Sequence, residues 1–534
     1  MEKQRLIVLH RLCPISSHRA VLSVFLLSSA LHAQIFRPAP TIRIARVTRA
    51  TTPVRAPVIN QLLRAGAAVV NLPVCSGSPS IDDTPALMSI IHSSTMNTFY
   101  VSPEAPCYVH FTGSNALPAG TKLMGTPGRS VLRLYTGGSG QTAVKDNLMV
   151  ITNSDVTIEG LTLDANTPNL LGYQSSLIFV SNATNFTFRG NVVLSSAQGG
   201  TRGIALWIYN GSAHIEANEF SDYETQLQVT GDSSPKIVIS KNRLHDNNPA
   251  GGNAIYIASS SQSKTDIPAL VEGNYISNVS ASGWSSGQNG NAIAVYLANK
   301  VRIIGNDVTA PRFSCFRSNS SDDVIVMGNH CDGAGETAAY SEFDARHNQW
   351  MNNYIENAAG MCLDLTNFDQ GGQYHTAIGN HMVRCGGAGI QAEANAVVMS
   401  NTIDQAGSGI VVGYGAYGRN VIVKDNLITD SSNQGLTAYG IGIECGTAGG
   451  MEVEGNRIDL STPTIAGTAF YSISNGGALP STALVRNQSV AFSKLGTALD
   501  GSFVYCPDCQ AGPACAGGGT GALAKRINSS WICQ

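Results

Sequence analysis

From Phe188 onward the chain repeats one pattern: a short stretch of alternating apolar and polar residues, an asparagine, then a second short alternating stretch. Phe188-Arg-Gly-Asn191-Val, Ile215-Glu-Ala-Asn218-Glu-Phe, Val238-Ile-Ser-Lys-Asn242-Arg-Leu and Val271-Glu-Gly-Asn274-Tyr-Ile open the series. It continues through Asn306, Asn329, Asn353 and Asn380, then Asn401, Asn426, Asn456 and Asn487. A period of two predicts strands with one buried face. Neighbouring asparagines are 21 (Asn380 to Asn401) to 32 (Asn242 to Asn274) residues apart, the length of one β-solenoid coil with a variable loop. Leucine-rich repeats need a dense leucine consensus and propeller blades about 40 residues, and the chain has neither. The pattern therefore predicts an all-β parallel β-helix of about twelve coils, a rod on the order of 60 Å long. Each asparagine is expected to take the left-handed conformation of a corner, with its amide stacked in a structural ladder.

The flanks read differently. Asp82-Asp83-Thr84-Pro85 before Ala86-Leu87-Met88 and Ile90-Ile91 predicts a helix, with acidic and threonine caps, proline in the first turn and an apolar face. With the apolar runs Ala67 to Leu72 and Val131 to Leu134 it is expected to cap one end of the solenoid, which is placed at residues 61–495. Residues 34–60, rich in Pro, Arg and Thr, read as a flexible basic linker. Residues 1–33 read as an export signal, with Arg5, Arg11 and Arg19 ahead of the apolar stretch Ala20 to Leu31 and small residues at its exit. That stretch is too short for a stable membrane span, which predicts a secreted, periplasmic or cell-surface protein without a transmembrane segment.

Composition sharpens this in two places. Charged residues make up 13% of the 534 residues, Gly numbers 56 and the net charge is -3. Many tight polar turns follow, and nucleic acid is not an expected partner. The 12 cysteines gain meaning from export, because exported thiols tend to pair. Cys506, Cys509, Cys515 and Cys533 predict a small disulfide-stapled module over 496–534 rather than a zinc site, and Cys75 with Cys107 could form a further bridge.

Three resemblances add to this reading. Asp82-Asp83-Thr84 with Ala86-Leu87 and Ile90 resembles the N-terminal cap helix of the pectate-lyase-like superfamily, which includes phage tailspikes and family 28-like glycosidases. That resemblance implies a right-handed, single-stranded parallel β-helix acting on a polysaccharide, as a monomer or a homotrimer. More narrowly, Gly335-Glu336-Thr-Ala-Ala-Tyr340-Ser-Glu342-Phe343 followed by Thr366-Asn367-Phe368-Asp369-Gln-Gly371-Gly372 is similar to the bacterial twin-arginine-exported β-helix repeat family. No twin arginine stands in the charged region of this chain. The tail from Tyr505 to Trp531 resembles small C-terminal modules of bacterial and phage surface proteins.

Stacked coils offer a way to find a groove. Taking Leu227 and Val229, Ile255 and Ile257, Ile293 and Val295, and Leu363 and Leu365 as inward, their neighbours point outward. The outward pairs are then Gln228 and Thr230, Tyr256 and Ala258, Ala294 and Tyr296, and Arg317 and Asn319. Tyr340 and Glu342, Asp364 and Thr366, and Gln391 and Glu393 continue them. Tyrosines suit sugar rings and the polar groups suit hydroxyls, with loops near Pro249–Gly252, Ser280–Gly290 and Asp369–Tyr374 as walls.

Glu342 and Asp364 fall on adjacent coils with a two-residue offset, which puts their Cα atoms roughly 8 Å apart. Such a pair could protonate a leaving oxygen and activate water or attack directly. Arg317 could hold a carboxylated sugar or keep a neighbouring acid ionised, and Tyr340 could move a proton in a lyase. Tyr256, Tyr296, Asn319, Thr366, Asn367, Asp369, Gln391 and Glu393 are candidate substrate-binding residues, with His347 and His375 as loop-borne proton carriers. Asp344-Ala-Arg-His347 loosely resembles the Asp-Pro-His signature of mannuronan epimerases. No cofactor is expected; Asp322-Asp323 is the one place where calcium is considered, against a plain solvated turn. The leading reading is a carbohydrate-active enzyme, by hydrolysis. The alternatives are a uronic-acid lyase or epimerase, and a non-enzymatic glycan-binding or adhesive rod.

Overall fold

A computed structural model describes residues 68–137, 146–167, 176–196, 203–232, 236–248, 251–281, 287–366, 370–413, 418–429, 440–443, 452–459, 472–473, 484–486, 491–495 and 503–534. The expected export signal, the basic linker, Asn367, Asp369 and the corner at Asn487 lie outside these residues. Three long parallel sheets run the length of the solenoid, with 16, 14 and 13 strands among the described residues. Each coil passes through the third sheet, then the first, turns at an asparagine, and enters the second; Ser176–Ser181, Phe186–Arg189, Asn191 and Val192–Leu194 make one such coil.

Period-two alternation does the folding. In the first sheet Phe188, Ile215, Ile239 and Val271 stack in register inside, while Arg189, Glu216, Ser240 and Glu272 beside them face away from the core. Burying each such apolar side chain is worth about 1.5–3 kcal/mol, repeated coil after coil along one continuous core. The helix α1, Thr84–Ser93, contributes Leu87, Met88 and Ile91 to that core. Its caps divide differently from expectation: Asp82 accepts from the Thr84 N–H at 2.9 Å, whereas Asp83 turns back to accept from the Ser76 and Tyr108 N–H groups.

The asparagine ladder is continuous from Asn191 to Asn456 among the described residues. In a typical rung, Asn306 donates its backbone N–H (2.8 Å) and its Nδ2 (3.0 Å) to Oδ1 of Asn329, and Nδ2 also reaches Val271 O at 2.9 Å. The amides are buried, so each rung satisfies groups that would otherwise be stranded. One expectation is corrected here. The left-handed residue is the one before the asparagine: Gly305 (φ 63°), Gly328 (65°) and Gly379 (67°), and the non-glycines Ala217 (55°) and Lys241 (55°). The corner bends one position earlier, which frees the asparagine to aim its amide inward along the stack.

Disulfides close the ends and the middle. Cys75–Cys107 ties the first strands, and Cys506–Cys509 and Cys515–Cys533 staple a small antiparallel sheet over Phe503–Cys506, Ala522–Ile527 and Ser530–Cys533. Two further bridges, Cys315–Cys331 and Cys362–Cys385, lie inside the solenoid core, buried. Disulfides in this number fit an oxidising compartment. No helix among the described residues is long and apolar enough to cross a membrane.

Candidate functional site

The third sheet carries the candidate site, and its strands are in the register expected of the stacked coils. Arg317 of Phe316–Asn319 pairs with Tyr340 of Ala339–Glu342, which pairs with Asp364 of Leu363–Leu365, which pairs with Gln391. One position over, Tyr296 pairs with Asn319 and Asn319 with Glu342. Upstream, Gln228, Tyr256 and Ala294 align with Arg317 in the same column.

The face is not simply a solvated one. Arg317, Glu342, Asp364, Thr366 and Glu393 are buried, and Tyr256, Tyr296, Asn319, Tyr340 and Gln391 are partly covered. Part of the cover is the loop before Asn291. A Cβ at Gly287 would stand 2.1 Å from Arg317 Nη1, so a larger residue there would require the Arg317 guanidinium to shift.

Arg317 organises the centre. Its Nε and Nη2 donate to Oε2 and Oε1 of Glu342 at 2.7 and 2.8 Å, a bidentate pair, and Nη1 donates to Glu336 at 3.1 Å. Its guanidinium also lies over the Tyr340 ring at 5.1 Å. Burial opposes the charge of Arg317, but Glu342 and Glu336 more than offset it and hold its pKa above the ordinary value. Asn319 Nδ2 adds a longer contact to Glu342 at 3.4 Å.

Asp364 sits in the opposite condition. Burial pushes its carboxyl well above the usual range, a hydrogen bond from Thr366 pulls it back, and the charges of Glu393 and Glu342 push it further up. Its Oδ1 is buried with no hydrogen-bond partner among the described residues. Of the carboxyl groups on this face, Glu342 is thus ion-paired with Arg317, while Asp364 is buried with its proton held more tightly than in an ordinary carboxyl.

The core beneath the cluster is locally polar. Ser318 and Ser341 occupy inward positions where other coils place Val295 and Leu365. Asn348 Nδ2 donates to both, at 2.9 and 3.2 Å, and Trp350 Nε1 donates to Ser341 at 3.0 Å. The two core disulfides bracket this stretch: Cys315 is two residues before Arg317 and Cys362 two before Asp364.

The two histidines are placed differently, His375 in the core and His347 on an exposed bend. His375 is buried with neither ring nitrogen partnered among the described residues, and burial, with the charges of His347 and Lys264, lowers its pKa to about 3. It is a neutral core residue at the entry to Thr376–Ile378. His347 is exposed, stacks on Tyr374 at 5.2 Å and lies 3.7 Å from Asp323. Asp322 is engaged by Lys264 at 2.7 Å and by the Arg346 N–H at 2.9 Å. Glu336, which no outward column contains, is the residue of the cluster that coil stacking misses. It lies before the strand and enters only through Arg317.

Comparisons with known proteins place the architecture. Residues 367–458 match the model of the right-handed beta helix region. No curated protein matches the chain. Among solved structures, the pre-mature bacteriophage phi29 gene product 12 is similar at TM-score 0.54 and 13% identity, over 77% of this chain and 57% of that one. The chain thus spans little more than half the length of that phage protein. A PL6 alginate lyase in complex with a trisaccharide is similar at TM-score 0.45 and 12% identity, over 76% of this chain and 88% of that one. The catalytic unit of a GH87 α-1,3-glucanase from Streptomyces thermodiastaticus strain HF3-3 gives 0.44 and 12%, over 73% and 69%. At these identities the likeness is one of fold. The chain is a right-handed parallel β-helix, capped by α1 and followed by a disulfide-stapled C-terminal module.

Proposed function

We propose that the chain is an extracytoplasmic glycoside hydrolase that binds a neutral polysaccharide along the third sheet. The observation that carries this reading is the contrast between Asp364, buried with its pKa raised, and Glu342, ion-paired with Arg317. Asp364 donates its proton to the glycosidic oxygen as the bond to the anomeric carbon breaks. The Glu342 carboxylate faces the positive charge that develops on the sugar ring. Water adds its oxygen to the anomeric carbon and gives its proton to Glu342, so one sugar leaves with a new hydroxyl and the other with a reducing end.

A neutral substrate fits better than a uronate. The single charge of Arg317 is already shared by two carboxylates, Glu342 and Glu336, and Glu393 adds a further one beside Asp364. The centre is therefore acidic overall, and a polyanion laid there would be repelled. Tyr256, Tyr296, Asn319, Thr366 and Gln391 are assigned to substrate contacts, as are Asn367 and Asp369, which lie outside the described residues.

The test is a panel of neutral and uronate polysaccharides with products read by mass. Hydrolysis adds a water to each cleaved bond, and elimination leaves unsaturated, ultraviolet-absorbing ends. The expected result is reducing ends from a neutral glycan, with turnover reduced by about 10²–10⁴-fold in Asp364→Asn. Unsaturated ends from a uronate polymer would instead assign a lyase, and binding without any turnover would assign an adhesive rod.

A further inference from the structure

Upstream of the polar cluster, the same two outward columns of the third sheet carry a different chemistry. Phe179 and Trp207 pair in register, and Trp207 pairs with Gln228, the residue that leads through Tyr256 and Ala294 to Arg317. Tyr209 occupies the second column, aligned with Ser181 and Thr230. The three rings form one cluster: Phe179 and Trp207 are 5.0 Å apart, Trp207 and Tyr209 6.3 Å, Phe179 and Tyr209 6.4 Å. All three are only partly buried, on strands whose alternate residues fill the core. Trp207 Nε1 donates to Thr230 Oγ1 at 2.7 Å, which fixes the indole plane and leaves its faces to apolar contact.

We infer that Phe179, Trp207 and Tyr209 form a distal subsite that stacks on a sugar ring of a neutral glycan whose reacting bond lies at Asp364. The inference rests on the hydrolase reading for its direction, and on its own geometry for binding. Every outward residue between the rings and the cluster is uncharged: Gln228, Tyr256 and Ala294 in one column, Thr230, Ala258 and Tyr296 in the other. Aromatic faces with amides and hydroxyls between them match the C–H faces and hydroxyls of pyranoses. An uncharged track of this kind offers nothing to a polyanion.

The register also sets a length. Four coil steps separate Trp207 from Arg317 and six separate it from Asp364, about 19 and 29 Å at roughly 4.8 Å per step. A pyranose unit in an extended chain advances by about one such step. A glycan must therefore be about six or seven units long to touch the rings and the acid together. Shorter oligosaccharides reach the acid only.

The experiment uses the full chain in affinity gels cast with starch, laminarin or galactomannan, comparing wild type, Trp207→Ala, Trp207→Phe and Asp364→Asn. An oligosaccharide ladder of the retarding glycan is then titrated into each protein, with melting curves run alongside to exclude unfolding. The expected result is retardation of wild type and Asp364→Asn, about tenfold weaker binding in Trp207→Ala, and near-wild-type binding in Trp207→Phe. Binding should also strengthen between four and eight sugar units in wild type and not in Trp207→Ala. Wild-type retardation of Trp207→Ala, or a length dependence it shares with wild type, overturns the subsite and leaves the hydrolase reading intact. Retention of Trp207-dependent binding with no turnover on any glycan keeps the subsite and removes the hydrolase. No retardation of wild type by any of the three glycans overturns the subsite.

Discussion

The asparagine corner and the polar face of the third sheet both bury polar groups, yet they handle them in opposite ways. At the corner each amide is satisfied identically, rung after rung, by the next asparagine and a backbone carbonyl. On the third sheet neighbouring coils place different residues in the column, and the chain of satisfaction stops at Asp364 Oδ1. A ladder that repeats is architecture. A buried carboxyl with one oxygen left unpartnered destabilises the fold, and such perturbed groups cluster at functional sites. The core beneath repeats the contrast. Ser318 and Ser341 interrupt an apolar column under the cluster, where a plain solenoid would place aliphatics.

Substitutions on the two regions test this contrast. The largest effect is expected at Arg317. Arg317→Met leaves Glu342 buried without its cation and should destabilise the protein by about 3–5 kcal/mol in urea denaturation. The double variant Arg317→Met/Glu342→Gln should recover much of that loss, because the stranded charge is gone. Removing the Cys362–Cys385 bridge by a double change to alanine should destabilise by about 2–4 kcal/mol. Turnover should fall before global unfolding in that variant, because the bridge anchors the strand of Asp364. Asn329→Ala removes one rung and strands the donors of Asn306, for about 2 kcal/mol by denaturation with glycan binding unchanged.

The smallest effects are read by pH. A carboxyl raised on folding binds more protons in the folded than in the unfolded state. Asp364 thus makes stability fall as pH rises from the ordinary carboxyl value through its raised one, and Asp364→Asn should lack that fall. On the second sheet, hydrogen bonds to Asp307 and Glu356 raise His330 to about 9, against burial. Its contribution is present in full below about 6.5, the unfolded value, and is lost as pH rises through about 9. His330→Gln should flatten that window in pH-dependent melting.

How far the sequence carried can be judged residue by residue. Strand register was legible because Ile255, Ile293 and Leu363 mark the inward face, and a one-residue slip would turn each of them outward. The ladder was legible from spacing. The left-handed residue was not, because Ala217 and Lys241 adopt that conformation without the glycine that signals it elsewhere. Burial of the face was illegible too: it depends on how closely a loop approaches, and a glycine such as Gly287 in a glycine-rich loop does not announce a contact with Arg317. The aromatic cluster was within reach. Phe179, Trp207 and Tyr209 alternate with Val180, Leu206 and Ile208, but the column reading begins at Leu227, two coils too late. The pairing of Glu342 with Arg317 depends on rotamers, which spacing does not fix.

Asp364 is expected to keep its proton to a higher pH than an ordinary carboxyl does, set against an ion-paired Glu342. Difference infrared spectroscopy of wild type against Asp364→Asn, through a pH titration and without any substrate, tests it directly. The expected result is a protonated-carboxyl C=O band in wild type that is missing in the variant and persists above the ordinary carboxyl range. A wild-type spectrum whose band is lost within the ordinary carboxyl range would contradict the assignment of Asp364 as the acid.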